Sequence, residues 1–377
     1  MTGNPLQRLN ALGQSIWYDY IRRDLFTSGR LEKLIREDGL TGMTSNPTIF
    51  QKAIADSELY DEDMRRFSGE GKDTYRVFEA LEVQDVQRAA DLFRPVFERT
   101  GGDDGFVSIE VGPRLALDMQ GTVEEARRLW TSCERANVMV KIPGTKECVP
   151  AIRQCLEEGI NINVTLLFSV ERYREVMEAY LAGMEARAAA GQPVDRVRSV
   201  ASFFVSRVDT LADKKIDARA KEGTERDRAL AKDLRSKIGI ANARIAFQAF
   251  EEIFGGSRFA KLAQNGAKRQ KPLWASTSTK DPALPDLYYV EALIAPDTVD
   301  TMPPETLEAY RDHGDPKVRI HDDLQAAHAA FRGLTELGID DKAIFRELED
   351  EGIRKFSDSY DSLMKTLQDK QQAVGAR

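Results

Sequence analysis

Short apolar runs, each followed by a longer helical pattern, set the tightest limit on how this chain can fold. The runs are SIWYDYI (15–21), LTGMTSN (40–46), FVSIEVG (106–112), VMVKIPG (138–144), INVTLLF (162–168), SVASFFVSRV (199–208), PLWAST (272–277) and YYVEALIAP (288–296). The gaps carry helix signatures. TVEEARRLWTSCERAN opens with Thr122 and places Glu125 three residues on, the spacing of a capping box. SVERYREVMEAYLAGMEARAAAG starts at a Ser169 cap and ends in Gly191. Eight strands alternating with helices predict either a closed (β/α)₈ barrel or a doubly wound open sheet.

Side-chain parity separates the two. An open sheet covered on both faces needs apolar residues on both parities, whereas a barrel can turn one parity inward and collect polar groups at the carboxyl ends of its strands. Val138, Val140 and Ile142 oppose Met139 and Lys141; Ile160, Ile162 and Val164 oppose Asn161, Asn163 and Thr165. Ile109 and Val111 oppose Ser108 and Glu110, and Trp17 shares a side with Asp19. Polar residues therefore gather on one parity near several strand ends, which favours the barrel. The expected organisation is one (β/α)₈ domain over 1–377, with a charged, solvated helical excursion at about 210–240 and C-terminal helices from about 322.

Composition narrows the function classes. A net charge of −8 and a pI near 5.3 argue against a broad nucleic-acid-binding face. No apolar run approaches membrane-spanning length and the first residues lack an apolar signal core, so a cytoplasmic protein is expected. Cys133, Cys148 and Cys155 read as small core residues. His321 and His328 would lie roughly 10 Å apart along one helix axis, too far to share an ion, so no metal is expected. Neither a Walker-type loop nor a GxGxxG fingerprint appears, and no cofactor is expected.

Lys141 is the residue that asks for an explanation, because a strand lysine is almost never buried without a partner or a task. Converging parities would bring Asp19, Asn46, Glu110, Asn163, Thr165, Ser202 and Ser276 to the same mouth. In apolar surroundings the ammonium form is disfavoured and the amine can attack a ketone. Loss of water then leaves a cationic imine, an electron sink that lets the neighbouring C–C bond break. Asp19 and Glu110 are the carboxyls at hand for the protons.

Six blocks in order, GLTGMTSNPTIFQKAI, VSIEVGPRLALD, VMVKIPGTKECVPAI, GININVTLLFS, SFFVSRVD and LWASTSTKDP, resemble the transaldolases, in particular their longer bacterial subfamily, from about Gly13 to the end of the chain. The resemblance implies transfer of a dihydroxyacetone unit from sedoheptulose 7-phosphate to glyceraldehyde 3-phosphate, giving erythrose 4-phosphate and fructose 6-phosphate in the pentose phosphate pathway. It implies that Lys141 forms the Schiff base, that Asp19 is the acid/base carboxylate, and that Glu110 and Thr165 hold the catalytic water. Asn46, Asn163, Ser202 and Phe204 would contact the sugar, and Arg207 and Ser276 the phosphate.

One position departs from the pattern. Shorter transaldolases carry an arginine two residues after the serine matching Ser276, where this chain has Ser278; Lys280 is expected to supply the charge, as a point rather than a fork. The alternatives are a fructose 6-phosphate aldolase-like lyase or a non-catalytic sugar-phosphate-binding barrel. The aldolases tend to carry tyrosine and glutamine where Phe204 and Glu110 stand, which favours transfer. Sugar phosphates are the expected partners of a monomer or homodimer, with neither nucleic acid nor membrane.

Overall fold

Alternation along each strand decides which side chains meet the helices and which fill the interior. In the computed structural model, which describes residues 3–375, eight parallel strands close into a barrel in chain order. They are β1 (Gln14–Asp19), β2 (Gly42–Thr44), β3 (Val107–Glu110), β4 (Val138–Pro143), β5 (Ile162–Leu167), β6 (Ser199–Phe204), β7 (Lys271–Ala275) and β8 (Thr298–Met302). Pairing of β8 with β1 completes the circle. Helices lie between successive strands, so this is the (β/α)₈ barrel that parity favoured over the open sheet.

The two parities build two apolar layers. Ile16, Tyr18, Ile109, Val138, Val140, Ile142, Ile162, Val164 and Phe203 face outward into a continuous core with helix residues such as Val86, Phe93, Leu129 and Tyr173. Inward, Trp17, Phe106, Met139, Val200, Leu273 and Val299 plug the barrel floor. Gly42 is required here: a Cβ would sit 2.4 Å from Trp17 Nε1, so only glycine lets the indole lie against β2. The indole N–H donates to Asp104 Oδ1 at 3.0 Å, which satisfies its polar edge. Apolar filling below leaves the polar parity only the upper, carboxyl-terminal mouth.

Three expectations change. The eighth run is not a strand: Tyr288–Ala292 forms a helical turn whose Tyr289 and Val290 are buried against the outer core. The strand is the next segment, TVDTM, whose alternating Thr298, Asp300 and Met302 against Val299 and Thr301 lacks the long apolar run that drew attention upstream. The helix Met119–Cys133 starts earlier than Thr122, because Asp118 accepts from Gly121 N at 3.1 Å and caps it. Thr122 instead donates to Leu115 O, and Glu125 accepts from Gly112 N. The charged excursion is two helices, Ser206–Glu222 and Glu225–Leu234, separated at Gly223 where Thr224 and Asp227 form a capping box. It is not wholly solvated, since Thr210, Leu211 and Lys214 reach the barrel mouth.

Asp300 points outward from β8 into the packed layer and is fully buried. Thr277 Oγ1 donates to its Oδ1 at 2.9 Å, while Oδ2 has no protein partner among the described residues. Burial pushes its pKa up from 3.8 to about 7. The folded state thus binds more protons than the unfolded one between those values, and this carboxyl destabilises progressively as pH rises through that window. Asp300→Asn keeps an acceptor for Thr277. Its stability advantage over the wild type in urea unfolding is expected to grow from about pH 4 to pH 7 and then level off; a pH-independent difference would rule this titration out.

Candidate active site

The register of β3 against β4 sets Glu110 directly beside Lys141. Both side chains are buried, and Lys141 Nζ lies 3.2 Å from Glu110 Oε2. This contact is a charge pairing off the hydrogen-bond line, for Glu110 Oε2 has no aligned donor. Nζ donates to Ser45 O at 3.1 Å. Sequence alone brought Glu110 to the same mouth as the amine; the fold sets their separation and adds the Ser45 carbonyl, so the nitrogen has proton acceptors within reach. Desolvation raises the Glu110 pKa, and the Lys141 charge opposes the rise.

Asp19 enters from the end of β1. Protein surrounds it except on the side of the mouth, and desolvation raises its pKa against the lowering effect of Lys141, then Thr44 and Arg207. Thr44 Oγ1 donates to Asp19 Oδ1 at 2.8 Å, and Thr301 Oγ1 lies 2.8 Å from Thr44 Oγ1. With Thr44 donating to the carboxylate, Thr301 is left to donate to Thr44, so a chain from β8 through β2 fixes one oxygen of Asp19.

Asn46 carries two tasks. Its Oδ1 accepts from Ile49 N at 3.1 Å, capping the helix Pro47–Ala55 with proline in the first turn. That bond orients the amide and leaves Nδ2 for the cavity it lines. Asn163 is fully buried and tied at both ends: Nδ2 donates to Ser108 Oγ at 2.9 Å, and Ser202 Oγ donates to Oδ1 at 2.8 Å. It ties β3, β5 and β6 together beneath the cavity without lining it, contrary to the expected sugar contact, because both ends of its amide are held by protein, while Ser202 and Thr165 line the wall. Thr165 Oγ1 has no protein partner among the described residues. Its position follows from a bulge in β5 between Val164 and Leu167, where Leu166 takes a left-handed φ of 58°.

At the other end stand the cations. Arg207, at the start of the helix Ser206–Glu222, stacks its guanidinium over the Phe204 ring, 4.9 Å from the centroid. Among the described residues it makes no salt bridge. Asp209 does not pair with it, and instead accepts from Gly239 N at 2.7 Å to hold the helix Ile238–Phe254. Desolvation pulls the Arg207 pKa below the ordinary arginine value. Ser276, in a left-handed conformation at φ 58°, meets Ser206 hydroxyl to hydroxyl at 2.8 Å, and its carbonyl accepts from Ser206 N. Lys280 reaches the same cleft, joined by Lys214 and Lys355.

One cavity of about 650 Å³ connects Asp19, Asn46, Lys141, Thr165, Ser202, Phe204, Arg207, Ser276 and Lys280. Glu110 meets it through Lys141 and also borders a second space of about 20 Å³ with Glu82, Glu79 and Glu125 behind it. Buried Glu82 has its pKa pushed well up by desolvation and by the neighbouring Glu110, and sequence reading did not single it out. In the second run Thr44 shares its parity with Gly42 and Asn46, so the sequence carries its direction, but Thr301 was lost with the misplaced eighth strand. Lys214, Lys355 and Phe356 come from helices, where helical spacing gives no sign of which turn crosses the mouth.

A (β/α)₈ barrel with a buried amine paired to one carboxylate, a second carboxyl on the same cavity and a cation-lined cleft beyond defines a class: barrels able to form an imine with an anionic carbonyl compound. The model of the family Transaldolase/Fructose-6-phosphate aldolase matches residues 16–367. The chain is 48% identical to a protein of Parafrankia sp. (strain EAN1pec) named Transaldolase, over 97% of each chain. It is 48% identical to a Transaldolase of Thermobifida fusca (strain YX), covering 96% of this chain and 97% of the relative. It is 44% identical to a Transaldolase 2 of Nostoc sp. over 98% of each. The chain belongs to the transaldolase/fructose-6-phosphate aldolase family.

The two tasks of Asn46 can be separated. Asn46→Asp keeps the cap on Ile49 but loses the amide donor, so thermal stability should hold while KM rises. Asn46→Ala loses both, with about 1 kcal/mol of stability gone as well. Equal melting temperatures for wild type and Asn46→Ala, measured calorimetrically, would remove the capping role.

Proposed function

We propose that the protein is a transaldolase acting through an imine on Lys141, moving a dihydroxyacetone unit from sedoheptulose 7-phosphate to glyceraldehyde 3-phosphate. The observation that carries this reading is the buried Lys141 amine 3.2 Å from Glu110 in a cavity whose far end holds Arg207 and Ser276. A ketose fits with its carbonyl at Lys141 and its phosphate at the cationic end. Glu110 takes a proton from the ammonium, and the amine adds to the carbonyl carbon. The carbinolamine then loses its hydroxyl as water, the proton coming back from Glu110, and the iminium forms with the site's charge unchanged. Thr165 Oγ1 and Glu110 Oε2 have the free hydrogen-bonding capacity to hold that water.

Asp19, held by Thr44, then accepts the hydroxyl proton of the carbon beyond the bond to be cleaved. The C–C electron pair moves into the iminium, giving an enamine and a free aldehyde. A second aldehyde enters, the enamine carbon attacks it, and Asp19 returns the proton to the new alkoxide. Hydrolysis by reversal of the first steps frees the product. Phe204 supports transfer over release, for it offers no hydroxyl to protonate the enamine.

Borohydride added with fructose 6-phosphate should leave a reduced dihydroxyacetone adduct on Lys141, found by peptide mapping. A protein left unmodified, or modified at another lysine, would defeat the proposal. Asp19→Asn should still trap ketose but lower kcat by roughly 10²–10⁴-fold. Because desolvation raises the pKa values of Asp19 and Glu110, the acid limb of the wild-type rate profile should lie above the ordinary carboxylate range. A limb at the ordinary carboxylate value would speak against these two groups.

A further inference from the structure

The C-terminal helix Asp341–Gly375 crosses the mouth and contributes Leu348, Gly352, Lys355 and Phe356 to the cavity. Phe356 is buried, and its ring meets both charged ends of the site: the centroid lies 5.9 Å from Lys141 Nζ and 6.0 Å from Arg207 Cζ. Together with Phe204 it places aromatic rings on the Arg207 guanidinium, and Phe204 in turn packs on Phe168 with centroids 5.2 Å apart.

The seat of Phe356 is fixed. One turn before it, a Cβ on Gly352 would lie 3.0 Å from Leu166 Cδ2, so glycine lets the helix settle onto the bulged end of β5. Further along, Leu363 and Leu367 are fully buried, and Ser359 Oγ accepts from Thr48 Oγ1 at 2.9 Å. Lys215 pairs with Glu347 at 2.6 Å on the other flank.

We propose that Phe356 is a specificity-determining roof, which shields the Lys141 enamine from water and holds Arg207 for the substrate phosphate. The inference rests on the lysine-imine reading above. An enamine has two fates. Its nucleophilic carbon can attack an aldehyde, which is transfer. It can instead take a proton from solvent, so that a C–H bond forms from the C=C pair; the resulting iminium then adds water and releases free dihydroxyacetone, restoring the amine. A ring over the nitrogen removes water from that face. Its π-face also favours the cationic iminium and the guanidinium over their neutral surroundings.

The test uses the full-length enzyme with fructose 6-phosphate as donor and an acceptor aldehyde, reading free dihydroxyacetone against transfer product. Phe356→Ala should raise that ratio roughly tenfold, corresponding to about 1.4 kcal/mol between the two barriers. It should also raise KM for fructose 6-phosphate more than for unphosphorylated fructose. Phe356→Leu, which keeps an apolar side chain at the mouth but removes the π-face over Lys141 and Arg207, should raise KM for fructose 6-phosphate in the same direction and decides the matter if Phe356→Ala does not fold. Ratios and both KM values at wild-type level in the folded variants would overturn the proposal. Borohydride trapping on Lys141 should persist in each variant; its absence in the wild type would sink the imine reading instead, so the two failures are distinguishable.

Discussion

A single pairing between adjacent strands governs the site. Placing Glu110 opposite Lys141 in the β3–β4 register forces a carboxylate and an amine together inside a barrel, 3.2 Å apart. Neither would tolerate that depth alone, because a buried charge without a partner costs several kcal/mol. A slip of one residue in either strand would turn its side chain outward among the helices. The apolar parity of Val138, Val140 and Ile142 fixes that register, so the outer core determines the inner chemistry.

Polarity within the barrel is layered. The floor of Trp17, Phe106, Met139 and Leu273 excludes water from below, and it is closed tightly because Gly42 admits the indole. Above it, Asn163 ties three strands with both ends of its amide. Only then come Asp19, Lys141 and Glu110, and the cations lie further out. A ketose phosphate would be read in the same order, carbonyl deepest and phosphate outermost. Desolvation lifts both carboxyl pKa values against the opposing charge of Lys141, which suits the two groups to passing protons while substrate fills the mouth.

Much of this was legible in the chain because strand parity is a local property. Lys141, Glu110, Asp19 and Thr165 stand out as polar residues on an otherwise apolar framework, and their convergence follows once the barrel closes. YYVEALIAP misled because its β-branched and aromatic residues suit an outer helical turn as well as a strand, whereas TVDTM hides a strand behind polar residues. Side chains from helices were less accessible: Phe356 lies in a helix whose apolar spacing gives no clue that one ring enters the mouth. The arginine missing after Ser276 was noted in the sequence, but only the fold brings Lys214 and Lys355 to the cavity that Lys280 lines.

The central claim is that the Lys141 amine makes and unmakes a bond to the ketose carbonyl carbon. Passing through a carbinolamine and an iminium replaces the carbonyl oxygen with one from water. Incubating the enzyme with fructose 6-phosphate in ¹⁸O-labelled water, without acceptor aldehyde, and following the label at the carbonyl carbon by mass spectrometry tests this most directly. The account predicts exchange well above the uncatalysed rate in the wild type and at the uncatalysed rate in Lys141→Met. Exchange equal to background in the wild type, or equally fast in the variant, would contradict it.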